Sequence, residues 1–311
     1  MDQKVDLLSI VVPVYNEEQN ILFLRDKLFE LIGSLDCGCE LIFVNDGSSD
    51  NSFEVIAGLV KSDRRIKLLN LSRNFGQQAA LTAGMDYSKG DVIITMDCDL
   101  QDPPELIPEL IKKWREGAKV VFARRRLRKE GFMKVVTARI FYSLMKRYSD
   151  LKITGDIGDF RLVDRKVLDS LNNMREKSRY LRGMVAWLGF NYAIVDFDRP
   201  ERIHGKSGYD YFKMARLAMD GVVSFSSLPL RMGLVIGTIC IVSGFSFLVY
   251  ICGDSILNHV VYPLYKWLVI ALFMLIGFLF ILIWIVAEYI RRIYDESKGR
   301  PIYVVQGTEN L

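Results

Sequence analysis

The chain predicts an α/β domain on a mostly parallel sheet, followed by two C-terminal transmembrane helices. Three observations predict this class. Short apolar runs alternate with amphipathic stretches through the N-terminal half, and acidic or amide clusters recur where those runs end. Two long segments near the C-terminus carry no charge at all.

Leu7–Val14 reads as a buried strand, and Asn16-Glu17-Glu18 opens a helix running to about Leu35. Glu40–Val44 is a second strand, ending in Asn45-Asp46-Gly47-Ser48-Ser49-Asp50 before a helix through Lys61. Ile66–Leu71 is a third strand, with Gln77–Tyr87 as the helix behind it. Val92–Met96 is a fourth, and Pro104–Glu116 a helix with Leu106, Leu110 and Trp114 on one stripe. Lys119–Ala123 is a fifth strand. Beyond Arg126 the pattern changes. Phe132–Tyr148 and Tyr211–Leu228 read as amphipathic helices, Thr154–Leu162 as a glycine-broken turn leading into a helix, and Asn191–Phe197 as a strand.

Met232–Gly253 and Trp267–Ala287 contain no Asp, Glu, Lys or Arg. At about 1.5 Å per residue each run spans about 30 Å, the thickness of a bilayer's hydrocarbon core. Arg231 precedes the first run, and Arg291, Arg292, Lys298 and Arg300 follow the second. The excess of basic residues outside the Asp254–Lys266 link orients both termini to the cytoplasm. The expected organisation is a cytoplasmic domain over 1–230, a two-helix hairpin over 231–290 and a cytoplasmic tail over 291–311. Helices near 132–148 and 211–228 would lie close to the membrane. The N-terminus is polar and runs directly into a strand, so no cleavable signal is expected.

Five cysteines (Cys37, Cys39, Cys98, Cys240, Cys252) are too scattered for a zinc site or a disulfide framework. The formal net charge of +4 matters less than its placement, because Arg124, Arg125, Arg126, Arg128, Lys129, Lys134 and Arg139 are packed together. That cluster reads either as a solvated face or as a surface for anionic head groups or a phosphate-bearing substrate. No nucleic-acid partner is expected.

Ligands of doubly wound sheets bind at the carboxyl ends of the strands. That rule selects Tyr15, Asn16 and Glu17 after the first strand, Asp46 after the second, and Asp97–Gln101 after the fourth. Asp97 and Asp99, one residue apart at a strand tip, suit Mg²⁺ or Mn²⁺, which commonly keep coordination sites for substrate phosphates. The competing reading is an acidic turn in which Asp102 caps the helix starting near Pro104. Asp46 and Asp159 have capping readings too, and Arg161 has one as a structural partner of a carboxylate.

Ile10-Val11-Val12-Pro13-Val14-Tyr15-Asn16-Glu17, Val44-Asn45-Asp46-Gly47-Ser48-Ser49-Asp50, Ser72-Arg73-Asn74-Phe75-Gly76, Met96-Asp97-Cys98-Asp99-Leu100-Gln101-Asp102-Pro103-Pro104-Glu105 and Gly158-Asp159-Phe160-Arg161-Leu162 together resemble the family 2 glycosyltransferases of GT-A fold. More narrowly they are similar to the polyprenyl-phosphate glycosyltransferases, which include dolichol-phosphate mannose synthases. The paired spans and the ending around Glu288–Tyr294 and Gly299-Arg300-Pro301 look like the bacterial bactoprenol glucosyltransferases. The resemblance covers essentially the whole chain.

The resemblance implies roles for matched positions. Pro13, Tyr15 and Glu17 match residues that cradle the base and ribose, and Asp46 matches the carboxylate that contacts the nucleotide. Asp97, Asp99 and Gln101 match the metal and diphosphate positions, and Asp159 the position of the catalytic base. Arg202 and Ser207 fall in a loop that resembles one closing over the nucleotide; Gly208 stands where the family usually has Lys. Cys98 stands where Ala is usual.

The implied activity is inverting transfer of a sugar, glucose from UDP-glucose, to polyprenyl (undecaprenyl) phosphate at the cytoplasmic face of a bacterial inner membrane. Mg²⁺ or Mn²⁺ is the implied cofactor. Mannose or a modified arabinose is the alternative sugar. An anionic acceptor entering an acidic site calls for guanidinium groups, and Arg124, Arg126 and Arg139 are the candidates. The sequence does not choose among them. A processive polysaccharide synthase is disfavoured by the lack of a Gln-x-x-Arg-Trp stretch, and a non-catalytic nucleotide-binding scaffold by the intact Asp97/Asp99 pair. Oligomeric state is not legible.

Overall fold

The computed structural model describes residues 4–33, 35–125, 157–198, 249 and 263–311. The chain divides into two compact units, Met1–Ala218 with Arg300–Leu311, and Met219–Gly299.

The first unit is an eight-stranded mixed sheet flanked by helices. Its elements run β1 (Leu7–Val14), α1 (Glu18–Ile32), β2 (Gly38–Asn45), α2 (Ser52–Ser62), β3 (Ile66–Leu71), α3 (Gln77–Tyr87), β4 (Val92–Thr95), a short 3₁₀ turn (Pro104–Leu106), α4 (Ile107–Arg115), β5 (Val120–Arg125), β6 (Ile157–Asp164), α5 (Arg165–Asn172), α6 (Leu181–Trp187) and β7 (Tyr192–Phe197). After the second unit the chain returns as β8 (Val305–Glu309). The strand order is β7-β5-β6-β4-β1-β2-β3-β8.

β1 is central because it is apolar on both faces: Ile10, Val11 and Val12 are all fully buried. It pairs in parallel with β2 and β4, and β2 pairs in parallel with β3. α3 lies tightly on this central part. A methyl group on Gly84 would stand 2.3 Å from Val11 Cγ1 and 2.9 Å from Val44 Cγ2, so only glycine permits the approach.

Two segments depart from the sequence reading. The stretch around Gly158–Leu162 leads into helix α5 as expected, but it is not a turn: it is most of strand β6, antiparallel to both β4 and β5. Phe160 and Leu162 fill the core on one face, while Asp159 and Arg161 point to the other. That period of two is the signal, and the glycine had masked it. Residues 291–311 include the end of a long helix and the edge strand β8, antiparallel to β3. Tyr303 Oη donates to Asp86 at 2.7 Å, fastening this return segment to the end of α3.

In the second unit the described element is α7 (Leu264–Ser297), a continuous helix of 34 residues. It contains the second charge-free run, and Leu268, Leu272, Leu275, Leu279, Ile283 and Val286 are all exposed. Arg291 pairs with Glu288 at 2.7 Å and with Asp295 at 2.9 Å, so its last turns are polar. Among the described residues no helix is long and apolar enough to cross a membrane, and the expected pair of spans is not established. Several side chains within α7, Val269, Ile270, Phe273 and Met274 among them, lie outside the description, as do the expected first span and the helices near 132–148 and 211–228.

Candidate active site

The loops after β1 and β2 are stitched together. Asn16 adopts a left-handed conformation (φ 56°). Its backbone N–H donates to Ser48 Oγ at 3.1 Å, and its side-chain oxygen accepts from Ser49 N at 2.8 Å. Glu17 N donates to Ser52 Oγ at 3.0 Å, and Glu18 N to Asp50 Oδ2 at 3.2 Å. The capping of α2 falls to Asp50, which accepts from Ser52 N at 3.0 Å. Asp46 is released for another task.

Asp46 is buried and turns toward the loop after β3. Its two oxygens accept from Phe75 N at 2.7 Å and Gly76 N at 2.9 Å. Burial pushes its carboxyl above the ordinary value, and the two amides and the Arg73 charge only partly oppose it. Gly47 (φ 66°) makes the turn possible, since a methyl group there would meet the Arg73 carbonyl carbon at 2.5 Å.

The next two residues along the chain continue the pattern. Gln77 Nε2 donates to Asp97 Oδ1 at 2.7 Å, and Gln78 Nε2 donates to Asp159 Oδ2 at 3.3 Å. Gly76, Gln77 and Gln78, consecutive at the start of α3, therefore contact Asp46, Asp97 and Asp159 in turn. Carboxylates from three separate strands or strand ends are gathered by one helix terminus, whose partial positive charge favours anions.

Asp97 N donates to Asp102 Oδ2 at 3.0 Å, so Asp102 braces the acidic loop instead of capping the helix beyond it. Asp99 is buried and accepts from Gln101 N at 3.1 Å, with Leu100 between them left-handed (φ 59°). Burial pushes the Cys98 thiol far up, and the charges of Glu17, Asp99 and Asp97 push it further. Asn20 Nδ2 donates to Glu17 Oε2 at 2.5 Å. Tyr15 is half exposed, and Pro13 pairs with Val44 in the sheet. Among the described residues no group of three His, Cys, Asp or Glu side chains is arranged to close on a cation. The donor set at Asp97 and Asp99 is nonetheless all oxygen and incomplete by itself, the chemistry of a hard cation that also takes phosphate oxygens.

Asp159 sits deeper. Arg161 Nη2 and Arg182 Nε donate to its Oδ1 at 3.0 and 3.2 Å, and Arg182 Nη2 to its Oδ2 at 3.0 Å. Burial would raise its carboxyl, but the Arg182 and Arg161 charges and the hydrogen bonds from Arg182 and Gln78 hold it down at about 2. A carboxylate this acidic is a poor acceptor of protons at neutral pH. Burial lowers the Arg161 guanidinium from its ordinary value, with Asp159 opposing that effect.

Arg124 is engaged elsewhere. It forks onto Asp196 of the neighbouring strand at 2.6 and 3.0 Å. Arg126, Arg139, Arg202 and Ser207 lie outside the described residues. Gln77, Gln78 and Arg182 carry no assignment in the sequence reading, where Asp102 stands only as a helix cap. The first two carry a legible signal, being the opening residues of a helix after a strand; Arg182 carries none.

The prophage bactoprenol glucosyl transferase homolog of Escherichia coli is 39% identical over 302 residues, covering 96% of this chain and 98% of the relative. An uncharacterized glycosyltransferase of Synechocystis is 42% identical over 299 residues (96% and 94%). The bactoprenol glucosyl transferase of Shigella phage SfV is 37% identical over 300 residues (96% and 98%). The model of the family described as "Glycosyl transferase family 2" matches residues 9–171, from β1 through α5 and across every carboxylate gathered at the start of α3. The chain belongs to glycosyltransferase family 2.

Proposed function

We propose that the protein is an inverting, metal-dependent transferase that moves glucose from UDP-glucose onto polyprenyl phosphate at the cytoplasmic face of a bacterial inner membrane. The observation that carries this reading is the gathering of Asp46, Asp97 and Asp159 on Gly76, Gln77 and Gln78. The names of the Escherichia coli and Shigella phage relatives support the lipid acceptor and the sugar.

Asp97 and Asp99 would hold Mg²⁺ or Mn²⁺ with help from Gln101, and the cation supplies charge to offset the leaving diphosphate. Pro13, Tyr15 and Glu17 line the nucleotide side, and Arg202 and Ser207 are assigned to it by their match to the family's nucleotide-contacting positions. Asp46 shapes this side by pinning the loop after β3. An acceptor phosphate oxygen bonds to the anomeric carbon as the bond from that carbon to the diphosphate oxygen breaks, its electron pair leaving with the nucleotide. The acceptor is already an anion, so the proton demand on Asp159 is small. The two charge-free runs, 232–253 and 267–287, would anchor the chain in the bilayer, and anchoring would raise the effective concentration of the lipid acceptor.

The test is a transfer assay on the full chain in detergent, with polyprenyl phosphate and a panel of radiolabelled nucleotide sugars, run with Mg²⁺ or Mn²⁺ and with EDTA. Label should pass from UDP-glucose to lipid and stop on chelation. Asp99→Asn should abolish transfer while the protein stays folded. Labelling from no donor refutes the transferase reading, and full turnover in EDTA refutes the metal.

A further inference from the structure

A line of amide groups crosses the carboxyl-end rim of the sheet, from the C-terminal strand to the loop after β2. Asn70 Nδ2 donates to Gln306 Oε1 at 3.3 Å, and Asn45 Nδ2 donates to Asn70 Oδ1 at 2.7 Å. Ser48 N donates to Asn45 Oδ1 at 3.2 Å. Ser48 Oγ in turn accepts from Asn16 N at 3.1 Å, so the line ends on the loop after β1.

One backbone group sets the direction of every amide in it. A backbone N–H only donates, so Ser48 draws the Asn45 oxygen to itself and turns the Asn45 nitrogen toward Asn70. Asn70 then offers its oxygen to Asn45 and its nitrogen to Gln306, whose oxygen accepts. Asn45 is buried, where an amide without partners is costly. What the line requires at position 306 is an acceptor.

The backbone of β8 is shaped to supply it. Asn70 lies opposite Gly307 and Leu71 opposite Val305, which leaves Gln306 as the extra residue of a β-bulge. Bulges re-aim a side chain and gather beside functional sites. The other end of the strand is fastened differently. Asn310 Nδ2 donates to Val60 O at 3.0 Å and Ile66 O at 3.1 Å, at the amino end of β3 and away from the rim.

We propose that Gln306 is a positioning residue for nucleotide binding: through Asn70 and Asn45 it sets the Ser48 loop against Asn16, and with it the spacing of the loops that carry Tyr15, Glu17 and Asp46. The proposal rests on the reading of those loops as the nucleotide side, and it adds the C-terminal strand to that side.

Gln306 is exposed, so its replacement leaves the core intact. With the full chain in detergent and Mn²⁺ present, Gln306→Leu should raise the Kd for UDP about three- to tenfold. Gln306→Glu keeps an acceptor for Asn70 and should stay within about twofold of the unmodified protein. Asn310→Gly accepts the left-handed backbone there (φ 62°) and removes only the remote anchor; it should lower stability and leave the Kd unchanged. An unchanged Kd in Gln306→Leu, or an equal loss in Gln306→Glu or Asn310→Gly, would overturn the proposal. If the unmodified protein does not bind UDP, the reading of the nucleotide side fails instead. Hydrogen exchange without ligand then decides the positioning role by itself: Gln306→Leu should speed exchange at the Ser48 and Ser49 amides and Asn310→Gly should not, and unaltered exchange in Gln306→Leu would overturn it.

Discussion

Gln78 ties Asp159 to the start of α6: its amide nitrogen donates to Asp159 Oδ2 at 3.3 Å, and its oxygen accepts from Leu181 N at 3.1 Å. One side chain at the first turn of α3 thus sets the position of the residue that precedes Arg182. Gln78→Leu keeps the volume but removes both hydrogen bonds. It should cost about 1–3 kcal/mol of stability, read by denaturant titration.

Asp159 makes acid stability a measurement of the arginine cluster. Its carboxyl is held at about 2, against 3.8 for the ordinary group. A carboxylate with a depressed folded value contributes stability above its unfolded value and loses it as pH falls through the folded one. The contribution, about 2 kcal/mol, should be present at neutral pH and disappear between about pH 4 and pH 2. Asp159→Asn should remove that acid dependence and lower stability at pH 7 by about 3 kcal/mol, since the buried Arg161 and the partly exposed Arg182 lose this counter-charge.

Glu40 offers a contrast away from the site. It accepts from Ser9 Oγ at 2.5 Å, Lys67 Nζ at 2.5 Å and Lys89 N at 2.6 Å near the amino ends of the parallel strands. Burial alone would raise its carboxyl, but the bonds from Lys67, Lys89 and Ser9 lower it overall. Glu40→Gln should therefore destabilise the fold by about 3–5 kcal/mol while leaving KM and kcat of the folded fraction unchanged. Altered KM with unaltered stability would contradict this division of labour.

Gly84 tests whether the seat of α3 matters to chemistry. Gly84→Ala forces a methyl group against Val11 and Val44 and should cost about 1–3 kcal/mol. Because α3 carries the contacts to Asp46, Asp97 and Asp159 at its other end, turnover should fall in the fraction that remains folded. Circular dichroism melts and initial rates on the same preparation give both numbers.

The sequence by itself determined the parallel core and the acidic loops that meet at its rim. Buried parallel strands announce themselves as unbroken apolar runs, and ligand-binding groups follow at their carboxyl ends as a matter of topology. Asp46, Asp97 and Asp99 were legible for that reason. Tertiary structure decided what each carboxylate does. Asp102 braces Asp97 and not its own helix, Asp46 spends both oxygens on the loop after β3, and Asp159 is clasped by Arg161 two residues away and Arg182 from a separate helix. The antiparallel pairing of β6 and the return of β8 were equally illegible, because which strand pairs with which is not a local property of the chain. Hydrogen bonds between distant segments exist only once the sheet has brought them together, and it is those bonds, not the residue types, that separate a base from a brace.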